Sequence, residues 1–144
     1  MVYAARLHRS RIGERLSAIG LFPGQEQVLQ ALASGETSTM GELAQVLRVK
    51  PPTASKTVAR LAAQGLVERR AEPGDARVIV VSLTQAGADK VAAIDSLWRE
   101  IEDELLEGFD GKDRKRLRKL LRKMAKNLAG DSDDDVEFEE TAAA

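Results

Sequence analysis

Hydrophobic positions along this chain recur mostly every three or four residues, which is typical of amphipathic helices. The first stripe consists of Ala5, Ile12, Leu16 and Ile19, and it predicts a helix that ends near Gly20. A Pro-Gly pair follows and predicts the start of a second helix, QEQVLQALA. The pattern therefore favours a fold built mainly from helices.

Capping signals delimit two further helices. Thr39 has the side chain expected of an N-cap for a helix from Met40 to Leu47. Pro51 and Pro52 predict the start of a fourth helix, because proline costs nothing at the first helical position. Gly65 predicts the end of that helix.

The fourth helix is predicted to have two distinct sides. At about 100° per residue, Ala54, Val58 and Leu61 fall on one side and should face the core. Another side carries a row of polar residues: Thr53, Lys56, Thr57, Arg60 and Gln64. Hydroxyls, amides and cations of this kind bind phosphates and base edges in a major groove. An ordinary solvated face is the alternative interpretation of the row.

A β-hairpin is predicted directly after this helix. The segments LVERRAE and ARVIVVSL are rich in valine and flank the turn Pro73-Gly74-Asp75. Thr84 then predicts the cap of a fifth helix. Two short helices in tandem, the second with a polar face, followed by a hairpin with arginines near its tip, describe a winged helix-turn-helix. The predicted fold is mainly α with a small β-hairpin wing.

Two apolar stripes toward the C-terminus predict two long helices that both need partners. The stripes are Val91, Ile94, Trp98, Ile101 and Leu105, and then Leu117, Leu120, Leu121, Met124 and Leu128. A small winged domain cannot cover both. They therefore favour a dimer interface, with a monomeric helical bundle as the alternative.

Charge is distributed unevenly along the 144 residues. The net charge is −1, but residues 131–144 hold seven of the 23 acidic groups and no basic one. Residues 1–130 therefore carry 22 basic against 16 acidic groups, a net charge of +6, which favours a polyanionic partner. The acidic tail itself should be mobile and compete with DNA for the basic body, or else serve only solubility.

Several classes of function find no support in the sequence. The absence of cysteine excludes disulfides and thiolate zinc sites. His8 is the only histidine, no phosphate-loop or nucleophile motif is present, and the acidic cluster of residues 100–107 lacks an imidazole to complete a metal site. No enzyme, cofactor or metal is therefore expected. No apolar run approaches the roughly 20 residues of a membrane helix, and the expected location is the cytoplasm.

The linked motifs resemble the MarR family of bacterial transcriptional regulators. GELAQVLRVKPPTASKTVARLAAQGLVERR is similar to that family's helix-turn-helix, and GDARVIVVSLTQAG is similar to its wing. The wing segment includes the family's Asp-x-Arg pair, Asp75 and Arg77. Two departures are Lys50, where the family often has serine, and Ala76, where it often has a second arginine. The resemblance covers roughly residues 3–129.

This resemblance implies an intertwined homodimer whose recognition helices bind two half-sites of a pseudo-palindromic operator about one DNA turn apart. Residues 1–20 and 85–130 would form the dimer, residues 21–84 the DNA-binding lobe, and residues 131–144 the acidic tail. The implied DNA contacts are Thr53, Ser55, Lys56, Thr57, Arg60, Arg69, Arg70, Asp75 and Arg77.

The wing residues have distinct expected roles. Arg77 can place a guanidinium in a narrow minor groove, and the carboxylate of Asp75 can orient that guanidinium through a charge-assisted bond. Arg69 and Arg70 are expected to meet phosphate, with a solvated strand end as the alternative.

The family's peroxide sensors use cysteine and its zinc sensors use histidine-rich ligand sets, so the resemblance leaves a small organic effector or none. The expected pocket lies between the winged lobe and the dimer helices. Its candidate residues are His8, Arg15, Phe22 and Trp98, although Phe22 and Trp98 fit a hydrophobic core as well.

Three functions therefore stay open. The first is a sequence-specific repressor, because a dimer on a promoter site most simply blocks polymerase. The second is an architectural protein with little sequence preference, which a small ratio of specific to non-specific affinity would indicate. The third is a protein-interaction module that reuses the winged fold, and it predicts no salt-dependent DNA binding.

Overall fold

The computed structural model describes residues 2–129 and has the predicted fold class, mainly α with a small β-hairpin wing. Its elements are α1 (Val2–Ala18), α2 (Gln25–Ala31), β1 (Ser38–Thr39), α3 (Met40–Leu47), α4 (Pro51–Ala63), β2 (Val67–Glu72), β3 (Asp75–Leu83), α5 (Gln85–Leu105) and α6 (Gly111–Ala129). The acidic tail, residues 131–144, lies outside the described residues. No helix within residues 2–129 is long and apolar enough to cross a membrane.

Local sequence signals determine where α1 ends and where α3 begins. After α1, the chain turns at Gly20, whose φ of 78° suits glycine, and the amide of Leu21 donates to the carbonyl of Leu16 over 2.9 Å. α3 begins with a capping box, in which the Thr39 hydroxyl accepts from the Glu42 amide and the Glu42 carboxylate accepts from the Thr39 amide. The predicted N-cap at Thr39 is confirmed.

The sheet has three antiparallel strands in the order β1-β3-β2, one more than the predicted hairpin. Val67 of β2 pairs with Leu83 of β3, and on the other side of β3 Ser38 pairs with Val81. The strand β1 was not predicted because two residues are too few to show an alternating pattern. It attaches the start of α3 to the wing.

The core of the winged lobe draws on nearly every element from α1 to α5. Val28 and Leu29 of α2, Leu43 of α3, Leu61 of α4 and Val81 of β3 are fully buried. Their side chains form a continuous apolar cluster that also includes Leu16, Leu21, Val58 and Leu97. Ala5 is exposed, so the part of the α1 stripe that packs against the core begins at the half-buried Ile12 instead of at Ala5.

α5 corrects the expectation that its whole apolar stripe needs a partner. Ile94 and Ile101 are buried within the same chain, and Val91 and Trp98 pack against the core cluster. Leu105 alone among the stripe's five residues is exposed. Most of this stripe is therefore covered within one protomer, because α5 packs against α1 and α2.

The chain divides into one compact unit that ends at Leu105 and a second that begins at Leu106. α1 and α5, which the family resemblance places in the dimerisation segments, belong to the same unit as the winged lobe. In the second unit, no residue of α6 is buried, and Leu128 is 86% exposed. Dimerisation through these helices stays a prediction.

Candidate nucleic-acid interface

Helix α4 presents the predicted polar row on its exposed side. It begins after Lys50 and carries Pro51 and Pro52 in its first turn, as expected from the sequence. Its apolar side is covered, since Ala54, Val58 and Leu61 are fully buried. The side chains available to solvent are those of Thr53, Ser55, Lys56 and Arg60, while Thr57 is half-buried.

Two members of the row are engaged within the protein. The Thr57 hydroxyl donates to the Thr53 carbonyl over 3.1 Å, a common arrangement in helices that leaves the oxygen able to accept. The Gln64 amide donates to the Gly20 carbonyl over 3.2 Å. Within residues 2–129, no hydrogen bond or ion pair involves the side chains of Lys56 and Arg60. These two cations are free to meet a partner.

The wing is a hairpin whose tip departs from regular pairing. Ala71 pairs with Ile79, but the next pair is Glu72 with Asp75, so residues 76–78 of β3 have no partner on β2. The two-residue loop between Glu72 and Asp75 contains Gly74 at φ 94°. This irregular tip carries Arg77 outward on an exposed segment.

Asp75 bonds the backbone of Arg77 and not its guanidinium. Its carboxylate accepts a hydrogen bond from the Arg77 backbone amide over 3.0 Å, where a bond to the guanidinium was expected. Aspartate side chains commonly bond the backbone two residues on, and this local bond needs no ordering of a long arginine. Asp75 therefore shapes the tip and leaves the guanidinium free.

The two arginines at the base of the wing differ from each other. Both are exposed, but the Arg70 guanidinium lies 2.7 Å from the Glu68 carboxylate and is partly neutralised. Within the described part of the chain, Arg69 has no such partner. Residues 48–77 together hold seven basic and three acidic groups, a net charge of +4. The lobe is thus electropositive around α4 and the wing.

The four residues predicted to bind a ligand are not brought together. His8 lines a groove of about 390 Å³ between α1 and α5, beside Arg11 and Ile101. Arg15 lies outside this groove and forms ion pairs with Glu100 and Glu104 at 3.4 and 3.5 Å. Phe22 is 63% exposed and lines no groove with His8, whereas Trp98 packs against the core. Within one protomer the four residues do not line a common groove, and the predicted pocket stays a prediction.

Comparisons with known proteins show the family to which this chain belongs. The sequence model of the MarR family matches residues 19–78, which span α2 to the wing tip. YwoH of Bacillus subtilis, an HTH-type transcriptional regulator, is 33% identical over 119 residues, which are 83% of this chain and 86% of YwoH. The chain belongs to the MarR family. It is therefore a transcriptional regulator and not an enzyme.

A transcriptional repressor and a protein solved with operator DNA are also similar to this chain. The transcriptional repressor NicR of Pseudomonas putida is 33% identical over 96 residues, 67% of this chain and 61% of NicR. A MarR variant from E. coli, solved in complex with operator DNA, is 27% identical with a TM-score of 0.71, over 85% of this chain and 88% of that one. The fold described above is therefore the MarR winged helix-turn-helix.

The structure also contains contacts of this MarR-family chain that sequence reasoning missed. Gly87 follows the Thr84 cap, and a Cβ atom built on it would lie 2.0 Å from the Leu66 carbonyl oxygen. Gly87 ends the segment GDARVIVVSLTQAG that is similar to the family's wing, but the sequence did not indicate why a glycine is needed there. Lys90 donates to the Ile19 carbonyl over 2.7 Å, and no local pattern indicated that contact.

Proposed function

We propose that this chain is a homodimeric, sequence-specific repressor that reads the major groove with α4 and the minor groove with its wing. The proposal rests on how α4 is buried and exposed. Its apolar side is fully covered, while Lys56 and Arg60 are exposed and unengaged within the described residues. A helix in that state offers its polar row to an outside partner, and a net charge of +4 over residues 48–77 favours a polyanion.

The proposed roles on α4 follow from side-chain chemistry. Arg60 has the planar fork that binds guanine O6 and N7 together, so we assign it the main base contact. Lys56, Thr53 and Ser55 are suited to phosphate oxygens. Thr57 has a weaker role, since its hydroxyl proton is already donated to the Thr53 carbonyl.

The wing supplies contacts beside the recognition helix. Arg77 enters a narrow minor groove, where the potential is most negative, and the bond from Asp75 to its backbone shapes the approach. Arg69 meets phosphate with a free guanidinium. Arg70 contributes less than Arg69, because Glu68 competes with phosphate for the Arg70 side chain.

Dimerisation is supported by apolar side chains that the protomer leaves uncovered. Val2, Tyr3 and Leu7 on α1 are exposed, as is Leu105 on α5. α6 adds three exposed leucines, Leu120, Leu121 and Leu128. Exposed apolar side chains that cluster on a helix mark interaction sites. A second copy would cover them and place two recognition helices on half-sites about one DNA turn apart.

Repression is supported by the similarity to the repressor NicR. It is also the simplest consequence of binding, because a dimer on a promoter site blocks polymerase. Release by a small organic effector is part of the proposal. The groove between α1 and α5 beside His8 is its proposed binding place, where an anionic compound would have to displace Glu104 from Arg11, since the two side chains form an ion pair at 2.8 Å. Screening such compounds for release of bound DNA, with His8→Ala and Arg11→Met variants alongside, tests that part.

The main experiment is a set of binding titrations. DNA sites recovered by genome-wide footprinting supply an operator, which is compared with a scrambled site over a range of salt concentrations. We expect the operator to bind at least about 1,000-fold more tightly than scrambled DNA. A ratio near one would indicate an architectural protein, and binding to neither would indicate a protein-interaction module.

A further inference from the structure

The turn that follows α1 is a point where several helices meet. Residues 19–24 connect α1 to α2, and Leu21 in this connection is 1% exposed, so its side chain anchors the turn in the core. The Gly20 amide donates to the Ser17 carbonyl over 3.0 Å, and the Leu21 amide to the Leu16 carbonyl over 2.9 Å. The amides of the turn are thus satisfied by α1, while the carbonyls of Ile19 and Gly20 point away from it.

Side chains from two distant helices bind those two carbonyls. The Lys90 ammonium of α5 donates to the Ile19 carbonyl over 2.7 Å. The Gln64 amide, at the end of α4, donates to the Gly20 carbonyl over 3.2 Å. Carbonyls at a helix C-terminus have no partner within the helix and carry negative partial charge, which favours both contacts.

The same end of α4 is also attached to the start of α5. The Thr84 hydroxyl donates to the Gly65 carbonyl over 2.6 Å, and the Thr84 amide donates to the Leu66 carbonyl over 3.1 Å. Gly87 permits this approach, because any side chain there would collide with the Leu66 carbonyl. The C-terminal end of α4 is therefore attached to both α1 and α5.

Gln64 lies on the same row as the residues proposed to meet DNA. Thr53, Thr57, Arg60 and Gln64 are separated by four, three and four residues, so they share one side of α4. A contact that holds Gln64 against Gly20 consequently restricts the rotation of α4 about its own axis. That rotation determines where Arg60 points.

We propose that Gln64 and Lys90 are positioning residues for DNA recognition, which set the orientation of α4 by holding the turn between α1 and α2 from two sides. They act through the carbonyls of Ile19 and Gly20 and do not contact DNA. The inference rests on the proposed function for its DNA-binding consequence. Its structural part, the fixed turn, stands on the hydrogen bonds alone.

The test uses the full chain with Gln64→Met and Lys90→Met, which keep side-chain length and remove the donor. We expect each to lower operator affinity about threefold to tenfold, the equivalent of one net hydrogen bond, and to leave scrambled-site affinity unchanged. Gln27→Met, at an exposed position of α2, is the matched control and should change neither affinity. Lys90→Arg retains a donor and should restore most of the loss.

Two further readouts separate positioning from direct contact. Because both residues act through one turn, the double variant should lose less than the product of the single losses. The slope of affinity against salt should stay that of the wild type, whereas a lost phosphate contact lowers it by about one. Multiplicative losses with a lowered slope would overturn the proposal in favour of direct DNA contacts.

Amide hydrogen exchange tests the structural part without DNA. Gln64→Met and Lys90→Met should each speed exchange at Leu21 and Leu66 and leave Val28 and Leu29 in α2 unchanged. Unchanged exchange at Leu21 and Leu66 would overturn the positioning role, whatever the DNA titrations give. If the wild type fails to discriminate operator from scrambled DNA, the proposed function fails, and the exchange result still decides whether the turn is held.

Discussion

Helices α4 and α6 differ in how charge and burial are combined. α6 carries nine basic residues and one acidic residue in 19 positions, whereas α4 carries two basic residues in 13. Yet α4 buries Ala54, Val58 and Leu61, and α6 buries none of its residues. Charge density alone would select α6 as the DNA-reading helix. We propose α4 instead, because its apolar side is already buried and its polar row is the side left for an outside partner.

The largest expected effect comes from the apolar side of α6. Leu120→Glu places a carboxylate among exposed leucines that we propose to lie in the dimer interface. We expect loss of the dimer and a fall in operator affinity of about 100-fold or more, the advantage that two linked sites give over one. Analytical ultracentrifugation and operator titration measure the two effects.

Lys119→Gln is the control for this variant, since it changes the charge by the same −1 on the opposite side of α6. It should leave the oligomeric state unchanged. Dissociation by Lys119→Gln, or an intact dimer with Leu120→Glu, would contradict the assignment of the two sides.

The next largest effect is expected on the polar row of α4. Arg60→Ala should reduce discrimination between operator and single-base variants by about 1 to 3 kcal/mol at one base position. Lys56→Ala should instead weaken binding to all sequences alike and lower the salt slope by about one. Titrations against a panel of operator variants distinguish the two. Equal losses on every sequence for Arg60→Ala would reduce Arg60 to a phosphate contact.

A smaller effect is expected at the start of α3. Thr39→Ala removes the capping hydroxyl and should lower the free energy of unfolding by about 1 kcal/mol. Thr39→Ser keeps the hydroxyl and should lie close to the wild type. Urea denaturation followed by circular dichroism measures both. A loss with Thr39→Ser as large as that with Thr39→Ala would show that the cap contributes nothing.

The smallest effect is expected from the acidic tail, outside the described residues. Truncation after Gly130 removes seven carboxylates, so the truncated protein should bind scrambled DNA a few-fold more tightly at low salt. The difference should disappear as salt rises, because screening weakens purely electrostatic competition. Equal binding by both proteins at every salt concentration would leave the tail a solubility element.

Much of the winged lobe could be predicted because its signals are local. The N-cap at Thr39, the prolines at the start of α4 and the glycine after its end each act within a few residues. The strand β1 was missed because its evidence is pairing with β3, about 40 residues away along the chain. The coverage of the α5 stripe was missed for the same reason, since only packing shows which apolar residues find a partner within the chain.

Candidate site residues were predicted by type, but their actual contacts were not. The sequence indicated that α4 exposes Thr53, Lys56 and Arg60, and the structure agrees, whereas Thr57 of the same row is half-buried. It could not indicate that Gln64 bonds Gly20 or that Lys90 bonds Ile19, because these pairs are 44 and 71 residues apart. Nor could it separate Arg70, paired with Glu68, from the unpaired Arg69. Four ligand candidates chosen by chemistry alone proved to lie in different surroundings.

Thr39 belongs to two elements at once, and this joins the wing mechanically to the helix-turn-helix. It ends β1, where it pairs with Val80 of β3, and it also caps α3. In the proposed complex with DNA, a tilt of the wing would therefore shift α3 and, through α3, helix α4. The wing and α4 would then respond to DNA as one coupled body, so we expect substitutions in the two to have non-additive effects on operator choice.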